Sequence, residues 1–129
     1  MAWIESIANH LTANGLGTQG STLFIGVMPD TTATTTLLTE YDGSLTETFS
    51  SGIALYLPSL QVRVRGGKED YTSPHTRVLA IQTLLSAITN QTVQGTHFLR
   101  VRPTGTVIAL GQDSNLRFEF TCNFEVTYD

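Results

Sequence analysis

A chain of 129 residues is enough for one domain built around one core. Its 40% hydrophobic content is ordinary, but its charged fraction of 14% lies well below the roughly 25% of typical soluble domains. Buried contacts between copies or a threonine-rich surface would each account for that deficit. The net charge of −4 argues against a general nucleic-acid binder, and no apolar run approaches the roughly 18 residues of a membrane span.

The opening, MAWIESIANHL, places Trp3, Ile4, Ile7, Ala8 and Leu11 on one helical stripe. It lacks the charged start and continuous apolar stretch of a secretion signal, so a protein made and used in a cytoplasm is expected. Asn14-Gly15 is a natural helix stop. The GLGTQG that begins at Gly15 fits the dinucleotide pattern GxGxxG, but it follows a helix and precedes a strand. That order is the reverse of the one that places a pyrophosphate on a helix N-terminus, so the segment reads as a connector. Residues 22–28, TLFIGVM, form a compact strand closed by Pro29-Asp30. Residues 31–51 are threonine-rich, contain Asp42-Gly43 and are too long for an ordinary connection, so they are expected to form an extended arm or loop. A second apolar run, GIALYLP, is expected to end at Pro58.

Leu60, Val62 and Val64 alternate with Gln61, Arg63 and Arg65, which predicts a strand with one dry face. Gly66-Gly67 should break it. The following Lys68 resembles the end of a phosphate-binding loop, but the earlier glycine is missing and Glu69-Asp70 would repel a phosphate. Ser73 as a cap and Pro74 in the first helical position predict a helix to about Thr89, with Val78, Ile81, Leu85 and Ile88 as its buried stripe and Leu84 widening it. After it, residues 97–102, 106–110 and 117–128 read as three strands joined by tight turns, an antiparallel meander. The last has the clearest pattern in the chain. Phe118, Phe120, Cys122, Phe124, Val126 and Tyr128 take one face, and Arg117, Glu119, Thr121, Asn123, Glu125 and Thr127 the other. The predicted fold is α+β: residues 1–129 as a single domain, with one mixed, mostly antiparallel sheet and two helices on its apolar face.

Chemistry is hard to place on this chain. His10, His75 and His97 are scattered and no pair has zinc-site spacing. Cys122 sits in the apolar register of the last strand, where cysteine acts as a small hydrophobe. No carboxylate pair suggests acid–base work, so no catalytic, metal or cofactor residues are assigned and an enzyme is not expected. The arginines are more informative, since six of the seven basic residues are Arg. Arg63 and Arg65 share a strand face, as do Arg100 and Arg102, with Glu119 and Glu125 on the outer face of the last strand. Three readings are open: a solvated face with cross-strand ion pairs, a contact with a neighbouring subunit, or a nucleic-acid surface. The third would need exposed aromatics, and the phenylalanines point to the core.

The strand LQVRVRGG leading into the helix YTSPHTRVLAIQTLLSAI, together with the ending FLRVRPTGTVIALGQDSNLRFEFTCNFEVTYD, resembles the tail terminator and minor capsid proteins of long-tailed bacteriophages. With the opening helix, the resemblance covers most of the chain, though residues 30–51 have no clear counterpart. It implies a structural virion protein of the tail or neck, present in the host cytoplasm during assembly. It implies a homo-oligomer, a hexameric ring, that caps the tail tube protein and offers a face to capsid connector proteins. DNA would pass through such a ring without tight binding. The resemblance implies no cofactor, no membrane partner and no chemistry. Another head–tail connector or head-completion protein of the neck is the alternative; a nucleic-acid-binding module and a small enzyme are the remaining classes.

Overall fold

The computed structural model describes residues 2–31, 33–47 and 54–129. Its elements follow in the order α1 (Trp3–Ala13), β1 (Leu23–Ile25), β2 (Thr35–Glu47), β3 (Ala54–Lys68), α2 (Thr72–Ser86), β4 (Thr89–Val93), β5 (Thr96–Pro103), β6 (Ile108–Gln112) and β7 (Arg117–Tyr128). The strands make one sheet in the order β1-β2-β3-β7-β5-β4, with β6 also beside β7. β1 and β2 run parallel and the other pairs antiparallel. The fold is therefore the expected α+β arrangement with a mixed, mostly antiparallel sheet.

Period-two patterning explains the core. Phe120, Cys122 and Phe124 of β7 stand opposite Val64, Val62 and Leu60 of β3, and Thr36 and Leu38 of β2 continue those rows. All of these side chains are buried, as is Val126 opposite Val101 of β5. Phe118 and Tyr128 are half-buried against the same cluster. α2 covers this face with Val78, Ile81 and Leu85 and packs on β3, β7 and β5, while Ile88 is buried just past its end. α1 buries Trp3, Ile7, Ala8 and Leu11 and packs against β1, β2 and β4. Those strands lie at opposite ends of the sheet order, so the sheet curls and α1 spans the gap. Trp3 Nε1 donates to Glu40 Oε2 at 2.9 Å on the β2 side, and Ser6 Oγ donates to the Gln94 carbonyl at 3.1 Å beyond β4.

Several local expectations need correction. The last three strands are not a meander. β6 pairs with the first half of β7 and β5 with its second half, so together they act as one interrupted strand along a single edge. Pro103-Thr104-Gly105 makes a detour there instead of a reversal, and the Thr104 N–H still donates to the Asn123 carbonyl at 3.0 Å. β4 was not anticipated because TNQTV is polar and buries only Val93. Pro58 does not end its strand: it lies in β3 opposite Gly43 at an irregularity in β2, where the ladder to β7 skips from Tyr56 to Ser59. Its missing N–H therefore breaks no rung to β7.

Gly66-Gly67 does not end β3 either. The strand continues to Lys68 through a register shift. A Cβ on Gly66 would lie 2.6 Å from Pro74 Cγ and 2.7 Å from the Asp70 carbonyl oxygen, so this glycine lets the strand meet the first turn of α2. Ser73 does not cap α2: the helix begins at Thr72, Tyr71 at the cap position makes no side-chain cap bond, and Asp70 Oδ1, one residue earlier, accepts the Ser73 N–H at 3.1 Å. Within residues 31–51, residues 35–47 form β2, and Leu38 is fully buried. Residues 32 and 48–51 of the expected arm lie outside the described residues. Beyond Gly43 on β2 and before Pro58 on β3, the two strands pair with each other and touch the β7 ladder only at Tyr56–Tyr128.

Candidate assembly surface

Alternation puts Arg63 and Arg65 on the sheet face that α2 does not cover, because Val62 and Val64 take the core side. The ladders bring the other expected residues to the same face. Arg63 lies between Leu37 of β2 and Thr121 of β7, and Thr121 in turn faces Ile108 of β6. Arg65 stands opposite Glu119, Arg102 opposite Glu125, and Arg100 opposite Thr127. All six residues therefore share one face, on three neighbouring strands.

Their surroundings differ sharply. Arg102 forms an ion pair with Glu125 of the same chain, both well exposed. Arg65 is only 8% exposed and its Nη2 donates to the Pro29 carbonyl at 2.6 Å, so the loop after β1 shields it. Arg100 is exposed. Arg63 is half-buried, and its buried Nε has no acceptor among the described residues. Thr121 beside it is nearly inaccessible although its neighbour Ile108 is 47% exposed.

A further arginine that alternation places on this face, outside the six candidates, ties the segment after β1 to the start of β7. Arg117 is nearly buried: its Nε donates to Asp113 Oδ2 at 2.8 Å and its Nη1 to Asp30 Oδ1 at 2.5 Å and to the Thr31 carbonyl at 3.1 Å. The hydrogen bond to Asp30, and then the one to Asp113, hold the guanidinium above its ordinary range. The Arg117 backbone N–H, with help from the Asn115 N–H, holds the Asp113 carboxyl below its usual value. The Asp113–Arg117 spacing around a Ser-Asn turn was the available signal. Asp30, Lys68 and Arg117 line a cleft of about 450 Å³ with residues 114–116. With Asp30 already on Arg117, the Gly-Gly-Lys segment is a bulged strand end and not a phosphate cradle.

The histidines stay apart. His97 Nδ1 lies 2.9 Å from Asp129 Oδ1 and its Nε2 3.1 Å from Asn90 Oδ1. His75 packs on Tyr71 and Phe120. His10 is held below its ordinary value by burial. Burial pushes the Cys122 thiol up, against a smaller opposing effect of the Gln82 hydrogen bond, so it is not poised as a thiolate. No group of His, Cys, Asp and Glu among the described residues is arranged to hold a metal.

The profile of a family described as bacteriophage tail terminator protein matches residues 10–129, nearly the whole chain. The chain belongs to the bacteriophage tail terminator family. Its fold is similar to that of a chain in a structure titled "Virion of native gene transfer agent (GTA) particle", with a TM-score of 0.68 at 12% identity, over 98% of this chain and 94% of that one. At that identity the likeness speaks to the fold. No curated protein sequence matches the chain. A tail terminator is a structural component of the virion, so this one belongs to the tail or neck.

Proposed function

We propose that the protein assembles with itself into a ring, six copies in the arrangement its family resemblance implies, which caps the tail tube and joins it to the capsid connector. The reading is carried by the family match over residues 10–129. It is supported by the sheet face that gathers four arginines and two glutamates on adjoining strands. In this reading the chain performs no catalysis, needs no cofactor and lets DNA pass without holding it tightly. Residues 1–129 act as one domain, and the β2–β3 hairpin beyond Gly43 is its arm toward a neighbouring copy or the tube.

Negative-stain images of the purified protein, alone and mixed with tail tubes, test this directly. Rings seated at one end of the tubes are expected. Binding to capsid connectors with bare tube ends would identify a head-completion protein instead.

A further inference from the structure

Of the four candidate arginines on the outer sheet face, two are engaged within their own chain: Arg102 by Glu125, and Arg65 by the Pro29 carbonyl. Arg63 differs from both. It sits mid-sheet on β3, half-buried; its Nε, like that of Arg65, is buried without an acceptor, but no nitrogen of Arg63 is held by a carboxylate or carbonyl among the described residues. Its row runs Leu37, Arg63, Thr121, Ile108, so the charge is bracketed by apolar side chains, one of them 47% exposed. A cation with a covered stem and apolar flanks is the kind of residue that dominates an interface once a partner excludes water. The planar fork of arginine fits a carboxylate through two parallel bonds.

Charge distribution indicates where that carboxylate comes from. Counting Arg117 with its partners Asp30 and Asp113, this face holds five of the seven basic residues against four of the eleven acids, leaving two bases and seven acids on the rest of the chain. A second copy that presents a surface away from this face would therefore bring more acids than bases to a basic one, in a head-to-tail contact. A phosphate fits less well, because Glu119 and Glu125 share the face.

We propose that Arg63 is the anchor of the contact between copies, taking a surface carboxylate of a second copy of this chain while Leu37 and Ile108 seal it from water. This rests on the ring reading above and says which residue of the face carries the contact. The test compares wild type with Arg63→Gln, Arg63→Lys and Arg102→Gln by sedimentation velocity over a concentration series, alone and with purified tail tubes. Melting temperatures of all four are measured in parallel. Arg63→Gln should weaken association by about tenfold or more with an unchanged melting temperature. Arg63→Lys should restore only part of it, since an ammonium keeps the charge and loses the fork. Arg102→Gln, whose side chain is already paired with Glu125 of its own chain, should weaken association less than Arg63→Gln. If wild type forms multimers and Arg63→Gln matches it, the anchor assignment is wrong and the ring reading stands. A wild type that forms none in either setting overturns both. Unaltered multimers combined with lost binding to a double-stranded DNA oligonucleotide would make the face a nucleic-acid surface and overturn the assignment.

Discussion

Single residues decide stability at two places. Phe120 is 1% exposed, stands opposite Val64, and meets Tyr71 edge-on with ring centres 5.1 Å apart. Phe120→Ala should lower unfolding stability by about 3–5 kcal/mol, read from chemical denaturation. Gly66 allows close approach to Pro74 and the Asp70 carbonyl, one of which is backbone that cannot yield. Gly66→Ala should therefore destabilise by roughly 1–3 kcal/mol through overpacking, a change as small as one methyl group. Asp113 adds a pH dependence. Its carboxyl is held below its ordinary value, so its contribution is complete above that value and is lost as pH falls through the lowered one. Melting temperatures measured at decreasing pH should fall through the acid range in wild type and fall less steeply in Asp113→Asn, which starts from a lower value at neutral pH.

At the level of elements, the strongest sequence patterns became structure as read. The stripes of α1 and α2 and the alternation of β7 are buried on the expected sides, because burial of an amphipathic face dominates local preference. What was illegible depended on partners far away in sequence. TNQTV carries no apolar alternation and becomes a strand only because β5 offers it an edge. Pro58 and Gly66-Gly67 read as breaks, yet long-range pairing carries β3 through both. The shared face of the six candidate residues followed from alternation alone. Their unequal surroundings did not, because the shielding of Arg65 comes from Pro29. The hairpin supplies the test at this scale. Removing residues 31–51 would strip β2 and the buried Leu38 from the sheet. Replacing only residues 43–57 with a two-residue turn should leave a folded core by circular dichroism and impair tube capping. Capping at wild-type efficiency would deny the hairpin any role in assembly.

For the whole molecule, the charge pattern and the sheet order matter most. Arg100 is exposed on the outer face. Arg100→Glu should leave the melting temperature within about a degree of wild type, as expected for a surface change, while reducing the multimer fraction in sedimentation. An unchanged fraction would put Arg100 outside the contact. The sheet order has a consequence for synthesis. β7 is translated after every other strand of the sheet, yet it is the strand to which β3, β5 and β6 all attach. Until it emerges from the ribosome, the outer face lacks its middle: Arg63 has no Thr121 beside it, and Arg102 has no Glu125. A nascent or prematurely ended chain thus cannot present the finished surface, and translation itself postpones completion of that face until the last strand is made.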